Sequence, residues 1–303
     1  MPCFKTLIKT GNKRLKCISF APLNKARNKY NYSMSDPNQM SFLQHLEELR
    51  WRLVRSAIAI LIGATAAFIF KGFVFDQIIL APKKASFITY RIFCSISQRI
   101  GLDDSLCVTS DFSLQNIQMS GQFTSHIVVS LVAGIVIAFP YVFYQLWKFI
   151  LPGLRDKEAK LAKGVVFFTS LLFMLGIAFG YFIIAPLSVQ FLGGYTVSDQ
   201  VQNIIGLNSF ITTVTTTTLS SGIVFQLPIV IYFLAKLGIV SPQFLKAYRK
   251  HAIVGVLVLS AVITPPDITS QILVSLPLLV LYEISIQISK SVYSKSESIT
   301  ELD

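Results

Sequence analysis

Charge is scarce in this chain: 14% of its 303 residues are Asp, Glu, Lys or Arg, where a soluble domain carries about 25%. Histidine is scarcer still. His45, His126 and His251 are scattered along the chain, and no Cys/His spacing matches a metal site. Each is read as an ordinary histidine with its hydrogen bonds satisfied. No metal or other cofactor is expected. The phosphate loop Gly-x-x-x-x-Gly-Lys-Ser/Thr is missing, which argues against a nucleotide-driven machine. No Asp/Asp, Ser/His or His–Glu pairing stands at membrane depth, so an intramembrane hydrolase has no candidate residues. A secondary transporter of a small solute, the alternative function, would show an inverted repeat. No clear repeat is found.

Apolar sequence, by contrast, is plentiful. Hydrophobic residues make up 53% of the chain and are bunched in blocks rather than spread at a helical or strand period. A bilayer core about 30 Å thick needs roughly 20 apolar residues per helix. Six stretches qualify as candidates: Leu53–Phe70, Phe123–Phe143, Gly164–Ile184, Phe210–Ala235, Ala252–Ile263 and Ile268–Ile288. The fifth is short, roughly 18 Å at helical rise, and is read as a true span that thins the bilayer around it. The expectation is an all-α integral membrane protein with six transmembrane helices.

Lys and Arg orient it. Arg50, Arg52 and Arg55 flank the first stretch. Lys148, Arg155, Lys157, Lys160 and Lys163 fill the second loop, Lys236, Lys246, Arg249 and Lys250 the fourth, and Lys290 and Lys295 the tail. The third loop and the fifth have no Lys or Arg. The positive-inside rule then places both termini in the cytoplasm. The long first loop is discordant, with Lys71, Lys83, Lys84, Arg91 and Arg99.

Residues 1–33 carry eight basic residues and no acid, out of a net charge of +12. They read as a transit peptide, as a basic membrane-surface tail, or as sequence upstream of a true start at Met34. The third is favoured, because Met34-Ser-Asp opens directly onto the first motif. Residues 34–293 form the membrane domain and residues 294–303 a short cytoplasmic tail. Cys94 and Cys107 lie in the first loop, which the charges place outside, where a disulfide would persist; they are a candidate pair, with two free thiols the alternative.

Four segments stand out together: His45-Leu-Glu-Glu-Leu-Arg50-Trp-Arg52; Phe139-Pro140 through Tyr144-Gln145-Leu-Trp147-Lys-Phe149 to Pro152-Gly153, followed by Glu158; Phe179-Gly-Tyr181 to Pro186; and Thr264-Pro265-Pro266-Asp267 to Gln271. In this order, over residues 34–293, the set resembles the TatC family, the signal receptor of the twin-arginine protein translocase. The resemblance implies a non-enzymatic receptor and core subunit in a cell inner membrane, an organellar membrane being the lesser alternative. It further implies that the protein binds the arginine pair of export signals on folded precursors and self-associates. TatA- and TatB-type single-span partners and use of the proton-motive force follow from it too. No nucleic-acid partner is implied.

Glu48 and Glu158 align with residues implicated in binding the arginine pair, Phe149 with an aromatic beside that site, and Arg50 and Gln145 with other matching positions. The chemistry suits the task, because a carboxylate accepts the rigid guanidinium fork in bidentate fashion and an ammonium cannot reproduce it. Each acid could also be an ordinary solvated charge.

Gln226 falls about 15 Å inside Lys236 at helical rise. With Thr215, Thr216 and Tyr181 it makes up the intramembrane polar set, a candidate contact for a partner helix or a simple interhelical hydrogen bond. Family members often carry Glu at the Gln226 position; Gln cannot relay a proton. Pro82, Pro140, Pro266 and Asp267 are read as structural, shaping turns and bends. With Pro186, Pro228 and Pro277 they suggest bent helices around a concave face.

Overall fold

The computed structural model describes residues 42–100, 113–150, 162–198, 200, 203–264 and 268–300. The chain falls into two units, Met1–His45 and Leu46–Asp303, and apart from residues 42–45 everything below concerns the second. Glu158, Cys107, Pro266 and Asp267 lie outside the described residues, as do residues 1–33 and 301–303.

The fold is helical. In chain order come α1 (Phe42–Ile69), a π-helical segment Phe73–Ile79, a 3-10 turn Ala81–Lys83 and α2 (Ile88–Ile100). A two-residue strand β1 (Leu114–Gln115) precedes α3 (Gly121–Ile150) and α4 (Ala162–Phe179). A second π-helical segment, Gly180–Ile184, leads into α5 (Ala185–Gly194), followed by β2 (Ile205–Gly206). The chain ends with α6 (Leu207–Val224), α7 (Leu227–Lys236), α8 (Pro242–Ala247), α9 (Arg249–Ile263) and α10 (Ile268–Thr300).

Among the described residues, five segments are long and apolar enough to cross a membrane: Leu46–Ile69, Gly121–Ile150, Gly164–Gly194, Leu207–Lys236 and Gln271–Ser291. All five coincide with stretches expected from sequence, but the helices outrun the apolar blocks, because a helix continues into the polar border while its backbone bonds are still made. The fifth expected stretch is within α9, whose 15 residues span about 22 Å, short of a full crossing.

Prolines mark where the helical pattern of two long segments changes. Pro186 and Pro228 each occupy the first turn of a new helix, α5 and α7, where a missing N–H costs nothing. The first follows the π-helical segment and the second a two-residue break at Phe225 and Gln226. Pro140 and Pro277 sit inside α3 and α10, which run unbroken through them. Pro82 is buried in the 3-10 turn.

Small residues set the closest crossings. A Cβ built on Gly134 of α3 would stand 2.5 Å from the backbone nitrogen of Ala64 on α1. On Gly180 it would meet Ser221 Cβ at 2.8 Å and Thr218 Cα at 2.9 Å, and on Gly176 the Ser221 carbonyl at 2.8 Å. Lipid tails are as apolar as the side chains they contact, so close backbone approach is what holds such helices together. One apolar cluster joins Ala67, Val74 and Ile79 to Val129, Ala185, Phe210 and Val214. A second joins Ile184 and Phe225 to Val256, Val274 and Leu278.

On the side carrying the first and third loops, β1 and β2 pair in parallel, Leu114 opposite Ile205. Ser125 donates to Asn208 Oδ1 at 2.6 Å, and Asn208 donates to Gln118 Oε1 at 2.7 Å. These bonds hold the start of α3 to the start of α6.

Candidate functional site

The level of each residue follows from how α1 and α3 cross. Gly63 and Gly134 touch, and five residues further along α1, Phe68 stacks on His126 with ring centroids 3.9 Å apart. The contact moves back along α3 as it moves forward along α1, so the helices are antiparallel. Glu48 lies fifteen residues before Gly63 and Phe149 fifteen after Gly134, which puts both about 22 Å from the crossing, on the same side. Gln145 and Trp147 fall just short of that level on α3.

Glu48 is half-buried. Arg52, one turn on, donates Nε to Glu48 Oε1 at 3.1 Å and Nη2 to the same oxygen. The other oxygen, Oε2, is buried and has no hydrogen-bond partner among the described residues. Gln145 is buried too, and its Oε1 is likewise without a partner there. Trp147 is buried, its ring 4.9 Å from Phe233, and its Nε1 also lacks a described acceptor. A buried acceptor left unpaired costs about 1–3 kcal/mol. Glu48 Oε2 and Gln145 Oε1 can each accept a further hydrogen bond, and both lie toward the same end of the α1–α3 pair. Phe149 is half-buried at the same level and Arg50 is exposed. Glu47 is exposed beside Glu48; Arg52, which sequence reasoning named only as a flanking charge, is the residue that meets the carboxylate. Its i, i+4 spacing from Glu48 was the available signal.

The intramembrane set is only partly one site. Gln226 stands at the break between α6 and α7 and donates Nε2 to the Thr169 carbonyl at 3.2 Å, linking α7 to α4. Its Oε1 is buried without a described partner, as are Thr218 Oγ1 and Ser221 Oγ on α6. Thr215 is buried and donates back to the Ile211 carbonyl at 2.7 Å, a local bond that a helical hydroxyl makes with its own backbone. Thr216 is exposed on the other face. Tyr181 lies elsewhere: its hydroxyl donates to the Ile78 carbonyl at 2.6 Å.

Tyr181 belongs instead to a structural knot that sequence reasoning missed. Tyr90, on α2, is buried, and its hydroxyl lies 3.0 Å from the Pro82 carbonyl and 3.1 Å from that of Pro186. Burial raises its pKa well above the ordinary phenol value, so it stays a donor. Phe87 packs on Tyr90, Tyr181 and Phe182. The structural role expected of Pro82 takes this form. Cys94, on α2, is disulfide-bonded, and its expected partner Cys107 lies outside the described residues. His126 meets the Phe68 carbonyl at 3.2 Å, a satisfied border histidine.

A further ion pair joins Arg249 of α9 to Glu283 of α10 at 2.8 Å, both half-exposed. Tyr282 donates to the Leu245 carbonyl at 2.8 Å, and Gln271 to the Leu257 carbonyl at 3.2 Å. These bonds fasten α8 and α9 to α10.

Comparison with known proteins fits this arrangement. A family profile described as Sec-independent protein translocase protein (TatC) matches residues 44–277. The chain is 40% identical over 265 residues to the Sec-independent protein translocase protein TatC of Blattabacterium sp. subsp. Periplaneta americana (strain BPLAN), covering 86% of this chain and 99% of that one. It is 36% identical to protein TatCy of Bacillus subtilis (strain 168), covering 88% and 95%. Among solved structures, a crystal structure of the twin-arginine translocase receptor TatC superposes with a TM-score of 0.63 at 35% identity, covering 82% of this chain and 99% of the other.

Proposed function

The chain belongs to the TatC family of Sec-independent protein translocase proteins, and from that premise we propose its function. It is a multi-pass membrane protein and a transport component. It acts as the signal receptor and core subunit of a twin-arginine translocase in a cell inner membrane. Both termini face the cytoplasm, α9 is a short sixth crossing, and bent helices around a concave face receive the signal. Residues 34–293 are the working domain, residues 1–33 a basic extension and residues 294–303 a tail.

The paired arginines bind at the cytoplasmic border, between Glu48 and Glu158, with Gln145 accepting beside them, Phe149 packing against them and Arg50 flanking. One observation supports this reading: Glu48 Oε2 and Gln145 Oε1 are buried acceptors near one level with no partner among the described residues, and a guanidinium carries five donors. Lys157 and Lys160 flank Glu158 in sequence and weaken the local field. Gln226 forms the contact for single-span TatA- or TatB-type partners, and further copies of the chain join the receptor complex. Translocation of folded proteins draws on the proton-motive force.

The test is binding of a twin-arginine signal peptide to the purified protein, with a twin-lysine peptide as control, repeated with Glu48→Ala and Glu158→Ala. The expected result is a clear preference for arginine that both variants lose. Equal binding of the two peptides would sink the arginine site.

A further inference from the structure

We propose that α2 is a lipid anchor, lying on the membrane border at the loop side with its isoleucines in the acyl region and its arginines on anionic phospholipid phosphates. The sequence of α2 is amphipathic in an unusual sense. Its protein-facing side holds Thr89, Tyr90 and Ser97, all buried. Thr89 donates to the Phe182 carbonyl and Tyr90 sits against the Pro82 and Pro186 carbonyls. The side turned away from the protein is the apolar one. Ile88, Ile92 and Ile96 are 55%, 51% and 44% exposed and, four residues apart, form one ridge. Arg91 and Arg99, both exposed, flank it on the neighbouring ridge. Isoleucine outward and polar groups inward is a poor arrangement against water, and a good one against lipid.

The depth agrees. Phe182, whose carbonyl holds Thr89, lies eighteen residues past Gly164, the start of the apolar segment Gly164–Gly194. That is about 27 Å along the helix, against a hydrocarbon core of about 30 Å. The helix therefore sits where acyl chains give way to headgroups. Among described residues 70–100 the bases are Lys71, Lys83, Lys84, Arg91 and Arg99, against the single acid Asp76. This is the charge that runs against the orientation of every other loop. Phosphate contacts give it a partner, and positive charge fixed at a headgroup border is compatible with a translocated loop.

The test uses the full chain in vesicles of phosphatidylcholine and phosphatidylglycerol. Ile92→Trp supplies the probe, Ile96→Trp a second position, and the signal of the parent chain, which has Trp51 and Trp147, is subtracted. Bromine is placed high on the acyl chains of one lipid or the other. Both introduced indoles should be quenched. Brominated phosphatidylglycerol should quench more than the same fraction of brominated phosphatidylcholine, by about five-fold for each arginine engaged, from about 1 kcal/mol per basic residue near an anionic surface. Arg91→Gln with Arg99→Gln should bring the two lipids level. Indoles unquenched at both positions, or quenching indifferent to headgroup and to the arginines, would overturn the proposal. Quenching that falls as the protein-to-lipid ratio rises would assign the ridge to a second copy of the chain instead.

Discussion

Arg52 reaches Glu48 through two nitrogens that land on one oxygen, so the carboxylate is engaged at Oε1 and, among the described residues, has no partner at Oε2. The side chains are 15% and 27% exposed, so the pair is partly covered by the rest of the chain. A carboxylate offers about four lone-pair positions. Arg52 leaves part of the group open to an incoming donor and competes for the rest.

Arg52→Gln therefore has a defined direction. An i, i+4 ion pair is worth about 0.2–0.5 kcal/mol, so removing the competitor should tighten twin-arginine peptide binding about two-fold, with little change for a twin-lysine peptide. Isothermal titration against both peptides reads this. Weaker binding would mean that Arg52 positions Glu48 and does not compete with the signal.

The membrane-spanning blocks were legible because lipid demands about 20 apolar residues in a row, and each of the five spanning segments overlaps such a block. Their internal breaks were legible only as prolines: Pro186 and Pro228 mark new helices, whereas Pro140 and Pro277 sit in helices that continue. The crossings were hidden. Gly63 and Gly134 are single glycines whose meeting depends on two helices seventy residues apart in sequence, although Gly176 and Gly180, four apart, carried a readable small-residue pattern. In the candidate site, Glu48, Gln145 and Phe149 were found through their motifs. Tyr90 was not, because its two acceptors are backbone carbonyls that only the folded chain brings together.

The Gly134 crossing should be sensitive to a single methyl. Gly134→Ala places a Cβ against Ala64 backbone, and overpacking costs about 1–3 kcal/mol. Thermal unfolding in detergent should show a lower midpoint. Gly255, on α9, has nothing within 4 Å of a built Cβ, so Gly255→Ala should leave the midpoint unchanged or raise it, Ala being about 1 kcal/mol the better helix former. Equal effects at the two positions would refute the close crossing.

Tyr90→Phe removes the shared donor of Pro82 and Pro186 while keeping the ring. The expected cost is about 1–2 kcal/mol, from one lost hydrogen bond and buried carbonyls left short of a partner. Because those bonds pin α2, amide exchange should accelerate across residues 88–100 and stay constant in α3 and α6. Uniform acceleration would instead indicate global destabilisation.

Gln226 separates structural from partner roles. Its Nε2 bonds the Thr169 carbonyl at 3.2 Å while Oε1 is buried with no partner among the described residues. Gln226→Leu loses one hydrogen bond of about 1 kcal/mol but also removes an orphan acceptor, which is worth a similar amount. The isolated protein should thus be nearly as stable as the parent chain in thermal unfolding. If Oε1 serves a donor on a partner helix, the same variant should co-purify less of a single-span partner. Gln226→Glu keeps the acceptor, loses the Nε2 donor, and places an ionisable group in a site that fits an amide. It should destabilise the isolated chain more than Leu does. A Leu variant that unfolds early would show that the Thr169 bond outweighs the orphan, and would move Gln226 to a purely structural role.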